Sequence, residues 1–510
     1  ALVQIINEHN EPNVRATVKK IYDGMVVKSQ NRWPSLKRDL GSINNLLSPI
    51  FSAGFYYKTF MGPKGFWKNV YEPLIRRTAG LGKPPREFKS KSIHLHHNID
   101  ILIVGGGLAG LLAAKKLAGT DQDVLLVERD NNLGGILRNS NKIKSIDGQK
   151  SADWIEKTEW LLKSANNIKI LKNTTVTTYN YKDHLIAIED KTVGTPPDNN
   201  KPELVMHKIR TKHTVLANGH IERFLSFRNN DLPGVMLAAS FEKYIHRYGV
   251  VADTSPVIFT NNSSTFSLLK TMVDMNHKPK AYVDVRDSKK IEKETLELIN
   301  NHNIPFYPKS EIEGCEGKNQ IEKVFIRTKK DKTLKIKTSM LCISGGLNPD
   351  IHLFTQSKGL VKWDEKILTF KPEKSFQNTI TLGSVSGNFH FEKLVEEVNK
   401  KLGFIEGCNN VNTNIEVLGP KEFYIKEIWE TKSLKKSLWS KSFIDLQNDV
   451  TTKDLRQAIR EGFDRIEHLK RFTTNSMGTD QGKISSINAL GIASKLLKKS
   501  VSEVGTTTYR

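Results

Sequence analysis

The sequence predicts an α/β fold with two Rossmann-type units, a short N-terminal α+β segment and a helical C-terminal region. An apolar stretch at 99–104 leads directly into glycines at 105, 107 and 110, and residues 111–118 have helical character. A strand, a glycine turn and a helix in this order are typical of a Rossmann unit. A second strand–helix–strand pattern covers 256–285, and helical patterns dominate after residue 393.

The glycine turn after the first strand predicts a dinucleotide-binding loop. Gly105 permits the tight turn, Gly107 lets backbone N–H groups approach a pyrophosphate, and Gly110 lets helix and strand pack closely. The start of the following helix adds unpaired N–H groups and a partial positive charge. The predicted contacts are the consecutive residues Gly105, Gly106, Gly107, Leu108, Ala109 and Gly110. The alternative is a Rossmann-like unit that has lost its nucleotide.

A carboxylate follows the second strand of this unit. Glu128 lies 18 positions beyond the last glycine, where an acid accepts hydrogen bonds from an adenosine ribose. Arg129 comes next, but the acid favours an unphosphorylated ribose and therefore FAD or NAD rather than NADP. Gly134 and Gly135 resemble the glycine pair of flavoprotein-like domains, where the chain passes beside the dinucleotide.

Later positions complete the predicted first site by resemblance to related flavoprotein-like folds. That resemblance implies that the backbone at Val176 meets the adenine. Ala217-Asn218-Gly219 resembles a closing motif whose middle residue is usually threonine, and asparagine tolerates the same turn. Gly383 follows the closing strand and is expected to approach the cofactor. The whole pattern is therefore that of a flavoprotein-like protein with two dinucleotide-binding domains.

The second unit lacks the glycines of the first. Residues 260–264 read Thr-Asn-Asn-Ser-Ser where a nucleotide-binding unit carries its glycine motif. Side chains on Asn261 and Asn262 would crowd a pyrophosphate that glycines admit. We expect a degenerate structural duplicate, with a working nucleotide site as the alternative.

Composition limits the classes of partner and compartment. The 510 residues are 38% hydrophobic, no run approaches 18 apolar residues, and the first residues do not read as a signal peptide. Cys315, Cys342 and Cys408 are too far apart for a CxxC site, which predicts a cytoplasmic protein. The net charge of +23 fits solvated lysine-rich faces, an acidic partner or nucleic acid. Because no aromatic-interleaved basic block occurs, we expect neither a nucleic-acid nor a membrane partner.

Local patterns add expectations at both ends of the chain. A hairpin is predicted over 15–27, turning at an Asp-Gly pair. One amphipathic helix is predicted over 455–469, with Thr452 or Asp454 as its N-cap.

Histidines do not suggest a metal or a catalytic site. His94, His96 and His97 fall in a predicted linker without carboxylate or thiolate partners, so we expect no metal site there. His352 follows a turn and is expected to pack rather than to react.

Several long stretches carry a family resemblance that is far more specific than a glycine motif. They are SQNRWPSL at 29–36, AGFYYKTFM at 53–61, FWKNVYEPLIRRTAGLG at 66–82, DILIVGGGLAG at 100–110, FIDLQNDVT at 443–451 and EHLKRFTTNSMGTDQGK at 467–483. With them the chain resembles, over essentially its whole length, the alpha subunits of heterotetrameric sarcosine oxidases.

The resemblance implies cofactors and partners. It implies NAD in the first unit of this chain, with FAD as the alternative, an FMN shared with a partner, and FAD bound by that partner. The implied partners are a beta-type flavoprotein subunit and gamma and delta subunits, with a separate folate-binding aminomethyltransferase-like chain left open. The residues suggested to contact the partner's flavin, if they are not a plain helix-connecting turn, are Thr479, Asp480, Gln481, Gly482 and Lys483.

The chain departs from the family pattern at its two ends, and it agrees with the sarcosine oxidase version where related amine dehydrogenase subunits differ. It begins inside the expected ferredoxin-like segment and ends at Arg510, where a folate-binding half would follow, so we expect a split-gene subunit or a fragment. Residues 445–448 read Asp-Leu-Gln-Asn where related amine dehydrogenase subunits place cluster-ligating cysteines, so no iron–sulfur cluster is expected. The expected segments are 1–97 (truncated ferredoxin-like part and aromatic-rich linker), 98–235 (first dinucleotide-binding domain), 236–338 (inserted degenerate unit), 339–392 (return to the first domain) and 393–510 (helical region).

The predicted function is that of a dinucleotide-binding subunit of an enzyme that oxidatively demethylates sarcosine. No catalytic residue is assigned, because the amine is expected to react in a partner chain. The alternatives are an alpha subunit of a proline, hydroxyproline or opine dehydrogenase, and a scaffold subunit without chemistry. A reductase of the thioredoxin-reductase type would need a working second unit and usually a CxxC pair.

Overall fold

A computed structural model describes residues 2–6, 10–47, 53, 60–83, 91–196, 201–433 and 441–506. The aromatic stretch 54–59 and the prolines at 84–85, part of the predicted linker, lie outside the described residues. The chain forms two compact units. The smaller comprises Ala1–His97, Asn173–Thr175 and Ile186–Ile209, and the larger comprises Asn98–Lys172, Val176–Leu185 and Arg210–Arg510.

The first sheet contains the strand that precedes the glycine loop. Residues 101–104 pair in parallel with Val124–Val127, which pairs in parallel with Ile168–Leu171. Every residue of 101–104 and of Val124–Val127 is buried, as expected for a parallel sheet covered on both sides. The strand order is Ile168–Leu171, Val124–Val127, Ser92–Val104, Leu204–Leu216, His184–Asp190 and Thr174–Asn180, with Thr379–Thr381 added beside Leu204–Leu216.

The second sheet contains the predicted strand–helix–strand of the second unit, and it also contains Leu341–Ser344, a strand that we predicted in the return to the first domain. Val257–Thr260, helix Phe266–Asp274 and Ala281–Asp284 form the expected strand–helix–strand, and the two strands pair in parallel. Every residue of both strands is buried. The strand order is Val235–Leu237, Leu341–Ser344, Val257–Thr260, Ala281–Asp284 and Phe306–Pro308. The α/β class with two Rossmann-type units is therefore confirmed.

Smaller sheets and helices complete the described fold. The two-stranded sheets pair His220–Glu222 with Leu347–Pro349, Leu360–Asp364 with Thr369–Lys374, Ile143–Ile146 with Ile415–Val417, and Phe443–Asp445 with Val450–Thr451. A three-stranded sheet has the order Glu311–Glu316, Lys323–Arg327 and Thr333–Lys337. The α-helices are Glu72–Thr78, Leu108–Leu117, Ser151–Ser164, Ala238–Tyr248, Phe266–Asp274, Lys293–Asn301, His352–Gln356, Leu394–Lys401, Thr452–Arg460, Ile466–Thr473, Ser486–Leu497 and Val501–Val504.

The predicted N-terminal hairpin is wrong. Strand Glu11–Arg15 ends where the hairpin was expected to begin, and residues 16–26 are turns and irregular chain. Both Glu11–Arg15 and Val27–Ser29 pair with Leu2–Ile5, which lies between them. A central strand brought in from earlier sequence therefore replaced the local pairing that the Asp-Gly turn suggested.

The predicted helix over 455–469 is also wrong, because the chain forms two helices there. Thr452–Arg460 ends before Gly462, which adopts a left-handed φ of 93°, and Ile466–Thr473 follows. The N-cap is Thr451, one residue before the predicted position, and its hydroxyl donates to the Asp454 carboxylate at 2.7 Å. Asp454 also accepts the Thr451 amide hydrogen, so it completes a capping box rather than acting as the cap.

Candidate dinucleotide-binding site

The glycine loop of the first sheet leaves room at one glycine and none at the other two. A Cβ on Gly105, whose φ is 104°, would lie 2.5 Å from the Ala217 carbonyl oxygen. A Cβ on Gly110 would overlap the carbonyl oxygen of Gly105, whereas a Cβ on Gly107 would meet no atom within 4 Å. Gly107 precedes helix Leu108–Leu117. The open side of the loop thus lies at a helix N-terminus, where phosphates bind.

The Glu128 carboxylate lies against this loop. One carboxylate oxygen accepts the Gly106 amide hydrogen at 2.6 Å, and the other accepts the Asp130 amide hydrogen at 2.7 Å. Burial raises the pKa of Glu128, and these two amide hydrogen bonds offset part of that rise. Arg129 is exposed and favours the ionised form. The predicted acid and loop therefore meet directly.

The glycine pair joins the same loop. The Gly134 amide donates to the Gly106 carbonyl at 2.8 Å, and Gly134 forms a parallel bridge with Gly107. Gly134 and Gly135 have φ values of 116° and 51°, and a Cβ on Gly135 would lie 3.1 Å from the Gly107 Cα. These left-handed conformations and the close approach require glycine. The predicted glycine pair is brought to the loop.

The closing motif borders the loop on its other side. The Ala217 amide donates to the Val104 carbonyl at 2.8 Å, so the motif adjoins the first strand. Asn218 donates through Nδ2 to the Asp350 carbonyl at 2.6 Å, while its Oδ1 is buried without a hydrogen-bond partner among the described residues. An unpaired buried acceptor is costly and fits a donor on a bound ligand. Gly219 continues the turn with a φ of 84°.

Of the two remaining predicted contacts, Gly383 lies against the glycine-loop helix, whereas Val176 lies on a strand at the edge of the sheet. A Cβ on Gly383 would lie 3.0 Å from the Ala109 Cβ, so Gly383 packs against the first turn of the glycine-loop helix. Val176 is half-buried on Thr174–Asn180, a strand at the edge of the first sheet. That strand starts soon after Leu171, whose carbonyl accepts the Glu128 amide hydrogen at 2.8 Å. Contact between Val176 and an adenine stays a prediction.

Comparison with known proteins assigns the chain to a family. The family model of the pyridine nucleotide-disulphide oxidoreductases matches residues 99–371, which include the glycine loop, the second sheet and most of the first sheet. The chain belongs to this family. The fold of these oxidoreductases is that of FAD- and NAD-binding proteins, and the first sheet of this chain carries a site of that type.

The curated relatives and a second family model bear out the resemblance to sarcosine oxidase alpha subunits. The chain is 34% identical to the sarcosine oxidase subunit alpha of Rhizobium meliloti (strain 1021), over 98% of this chain and 50% of the relative. It is 30% identical to the protein of that name from Corynebacterium sp. (strain P-1), over 82% of this chain and 44% of the relative. The model of the sarcosine oxidase A3 domain matches residues 439–510. The chain spans about half the length of these curated relatives.

A solved structure agrees with the fold. The L-proline dehydrogenase of P. horikoshii superposes with a TM-score of 0.56 at 20% sequence identity, over 83% of this chain and 79% of that chain. At this identity the likeness supports the two-unit fold of the oxidoreductase and nothing about its substrate.

In the second unit, side chains fill the position where a nucleotide-binding unit carries its glycines. Asn261 and Asn262 are fully buried. Asn262 Nδ2 donates to the Asn261 side-chain oxygen at 2.9 Å and to the Ser344 carbonyl at 3.2 Å. Side-chain amides therefore occupy the turn that would hold a pyrophosphate, which supports the predicted degeneracy of this unit.

The loop suggested to contact a partner's flavin borders a cleft. Lys483 Nζ lies 3.0 Å from one Asp350 carboxylate oxygen, and His352 Nδ1 lies 3.0 Å from the other. Although Asp350 is buried, these partners hold its pKa well below the ordinary value. The cleft is lined by Lys483, Asp350, His352 and Asn348, whose Nδ2 is buried without a hydrogen-bond partner among the described residues. It offers cationic and amide donors to an anionic group.

The rest of that loop holds itself together. Thr479 Oγ1 donates to the Gln447 side chain at 2.9 Å, and the Asp480 carboxylate accepts the Gly482 amide hydrogen at 3.1 Å. Gln481 has a left-handed φ of 51°. The Asp350 backbone carbonyl also accepts a hydrogen bond from Asn218 of the closing motif, so Asp350 contacts both this loop and the first site. Asn218 and Asp350 are 132 positions apart, and the sequence did not reveal this link.

Basic residues near Glu128 were also missed. Arg247, on helix Ala238–Tyr248, lies 2.6 Å from the Asp130 carboxylate. Burial alone would raise the pKa of Asp130, but Arg247, Arg129 and Lys243 hold it below the ordinary value. The basic residues in the last turn of that helix are the sequence feature that could have revealed this ion pair.

The histidine cluster lies on a strand rather than in a linker. His94, His96 and His97 belong to Ser92–Val104, and His97 Nε2 lies 2.8 Å from His207 Nδ1. His207 Nε2 lies 3.1 Å from Glu189. Within the described ranges, no group of three or more His, Cys, Asp or Glu side chains is placed to hold a metal ion, and no helix is long and apolar enough to span a bilayer.

Proposed function

We propose that this chain is the dinucleotide-binding, alpha-type subunit of a multisubunit flavoenzyme that oxidatively demethylates sarcosine. The observation that carries the proposal is the open face of Gly107, which lies at a helix N-terminus beside the half-buried Glu128 carboxylate. The names of the curated relatives supply the substrate. The products would be glycine and a one-carbon unit, with electrons passing through FAD and FMN to oxygen.

The residues of the first site fit a dinucleotide. The glycine loop would receive the pyrophosphate, Glu128 the adenosine ribose, and the buried acceptor of Asn218 a hydroxyl or amide donor. The acid that ends the second strand favours an unphosphorylated ribose, and therefore NAD or FAD. The resemblance to sarcosine oxidase alpha subunits favours NAD, with FAD as the alternative. NAD and FAD both supply hydride chemistry when bound. This chain's own residues bind and orient the nucleotide.

The second proposed role is contact with a flavin held by a beta-type partner. Lys483 and the buried Asn348 amide face one cleft and suit a phosphate or another anion. The buried carboxylate of Asp350 forms an ion pair with Lys483 and holds that side chain in position. Gamma and delta subunits, a separate folate-binding chain, a cytoplasmic location and the five segment boundaries given above stay predictions on the same basis.

The nucleotide itself tests the main proposal. The chain is purified, denatured, and the released small molecule is analysed by absorption and mass. Colourless NAD supports the proposal, with the flavins held by or against a partner. Yellow FAD would favour a dehydrogenase-type subunit whose own flavin reacts, and a protein that releases nothing would favour a scaffold.

A further inference from the structure

The ligand-binding edge of the second sheet is occupied by the chain itself. Rossmann-type units bind their ligands outside the carboxyl ends of the parallel strands. Residues 419–429, here named the covering segment, cross this edge. Ile425 forms an antiparallel bridge with Asn262, in the turn after the first strand. The Lys426 amide donates to the Asn261 carbonyl at 2.9 Å, and Asn261 Nδ2 donates to the Lys426 carbonyl at 2.7 Å.

Three consecutive amide hydrogens of the turn that would cradle a phosphate have partners inside the chain. Asn262 donates its N–H to Thr260 Oγ1 at 3.1 Å, and Ser264 donates its N–H to the Asn262 side chain at 2.9 Å. Between them, Ser263 donates its N–H to the Tyr424 carbonyl at 3.1 Å. The Tyr424 amide donates in turn to Ser263 Oγ at 2.9 Å. The covering segment therefore supplies the acceptor that a phosphate oxygen would supply.

The ribose position is closed in the same way. Asp284 ends the second strand, where an acid would receive a ribose, but it is fully buried and lies 2.8 Å from Arg286. Arg286 also donates to the Tyr424 carbonyl at 3.4 Å. Lys426 Nζ donates to the Val285 carbonyl at 3.0 Å. The covering segment thus bonds to the residues after both strands.

Packing holds the covering segment in place. Ile425 is 7% exposed, and a Cβ on Gly346 would lie 2.7 Å from its Cδ1 atom. Gly419 has a φ of 82°, and a Cβ there would overlap the Phe266 ring at the start of the second-unit helix. Such close contacts are those of a packed interior and leave no space for a nucleotide.

We propose that the covering segment takes the place of a nucleotide in the second unit and so determines which electron carriers the protein accepts. In the part of the chain that the structure describes, the second unit then offers NADH and NADPH no site, and a dinucleotide binds at the first glycine loop. The occupancy of the second unit follows from its own contacts, and its consequence for electron carriers rests on the proposed function.

Hydrogen exchange of the full chain, followed by mass spectrometry, tests the proposal. We expect slow exchange in peptides covering 261–264 and 424–426, changed less than about twofold by millimolar NADH or NADPH. Slower exchange of either peptide on adding either nucleotide would overturn the proposal. Peptides covering 105–110 are read in the same experiment after the resident nucleotide has been removed. A missing response to NAD there would count against the proposed first site and leave the second-unit result intact.

Two variants test whether the covering segment is what protects the second turn. Ile425→Ala removes a buried anchor, and we expect the Ser263 amide to exchange at least about tenfold faster. Lys426→Ala is the milder variant, to be used if Ile425→Ala does not fold. We expect it to raise the exchange rate of the Ser263 amide several-fold. Its matched control is Lys421→Ala, in the same segment but with a 75% exposed side chain, which should change nothing. Unchanged exchange of Ser263 in the folded Lys426 and Ile425 variants would show that something else covers the turn.

Discussion

At the scale of single residues, two glycines of one loop serve different purposes: we expect Gly107 to matter for nucleotide affinity and Gly110 for the stability of the fold. Gly107→Ala adds a methyl group into open space at a φ of −74°, so the free energy of unfolding should change by no more than about 0.5 kcal/mol. The methyl group would face the bound pyrophosphate, and we expect nucleotide affinity to fall at least about tenfold. The measurements are urea unfolding of the nucleotide-free protein and titration with NAD.

Gly110→Ala is the contrasting variant. Its Cβ would overlap the Gly105 carbonyl oxygen, and overpacking against backbone should destabilise the protein by about 3 kcal/mol. A Gly107→Ala protein that binds nucleotide normally would contradict the assignment of the loop.

Glu222 should make stability depend on pH. Burial raises its pKa to about 7, with Glu242 adding to the rise, while hydrogen bonds from Ser344 and the Ala239 amide and the charge of Lys142 oppose it. A raised folded-state pKa favours the neutral form. Its stabilising contribution is therefore complete below the unfolded-state value near 4.5 and is lost as the pH rises through about 7.

Glu222→Gln should remove this dependence, because glutamine can still accept the Ala239 amide hydrogen. We expect the variant to be more stable than the wild type by about 1–3 kcal/mol at pH 8 and similar to it at pH 4.5. Urea unfolding at both pH values is the measurement. Parallel wild-type and variant curves would show that Glu222 is not the responsible group.

At the scale of elements, the capping box sets the start of helix Thr452–Arg460. Asp454→Ala removes the acceptor of both the Thr451 amide and the Thr451 hydroxyl, and it should cost about 1 kcal/mol. Asp464→Ala is the control, because that side chain is 61% exposed and its nearest cation is 4.0 Å away. Thermal unfolding of the two variants compares them, and equal midpoints would argue against the box.

Elements whose causes are local could be predicted from the sequence, and elements with distant causes could not. The strand before the glycine loop and the helix after it follow from adjacent residues, and they were found. The helix break at Gly462 lies inside an amphipathic pattern that continues past it, so periodicity joined two helices into one. The N-terminal strands pair through Leu2–Ile5, which a local turn signal does not reveal.

At the scale of the whole molecule, the residues that close the second unit come from far along the chain. The unfavourable side chains of Asn261 and Asn262 were visible in the sequence. The bridge from Asn262 to Ile425 was not, because 163 positions separate the two residues and only folding brings them together. The ion pair between Asp350 and Lys483 was hidden for the same reason.

That ion pair supports a prediction about the assembled enzyme. Lys483→Met leaves His352 as a partner of Asp350 but removes the cation beside a buried carboxylate, so we expect the chain to fold with a loss of about 3 kcal/mol in the free energy of unfolding. If Lys483 contacts an anionic group of a partner's flavin, the complex purified with that partner should bind FMN at least about tenfold more weakly. Binding of the nucleotide at the first site should be unchanged. The control is Lys495→Met, whose side chain is 54% exposed and pairs with Glu427 on the surface. Equal FMN retention in both variants would identify residues 479–483 as a plain turn between helices.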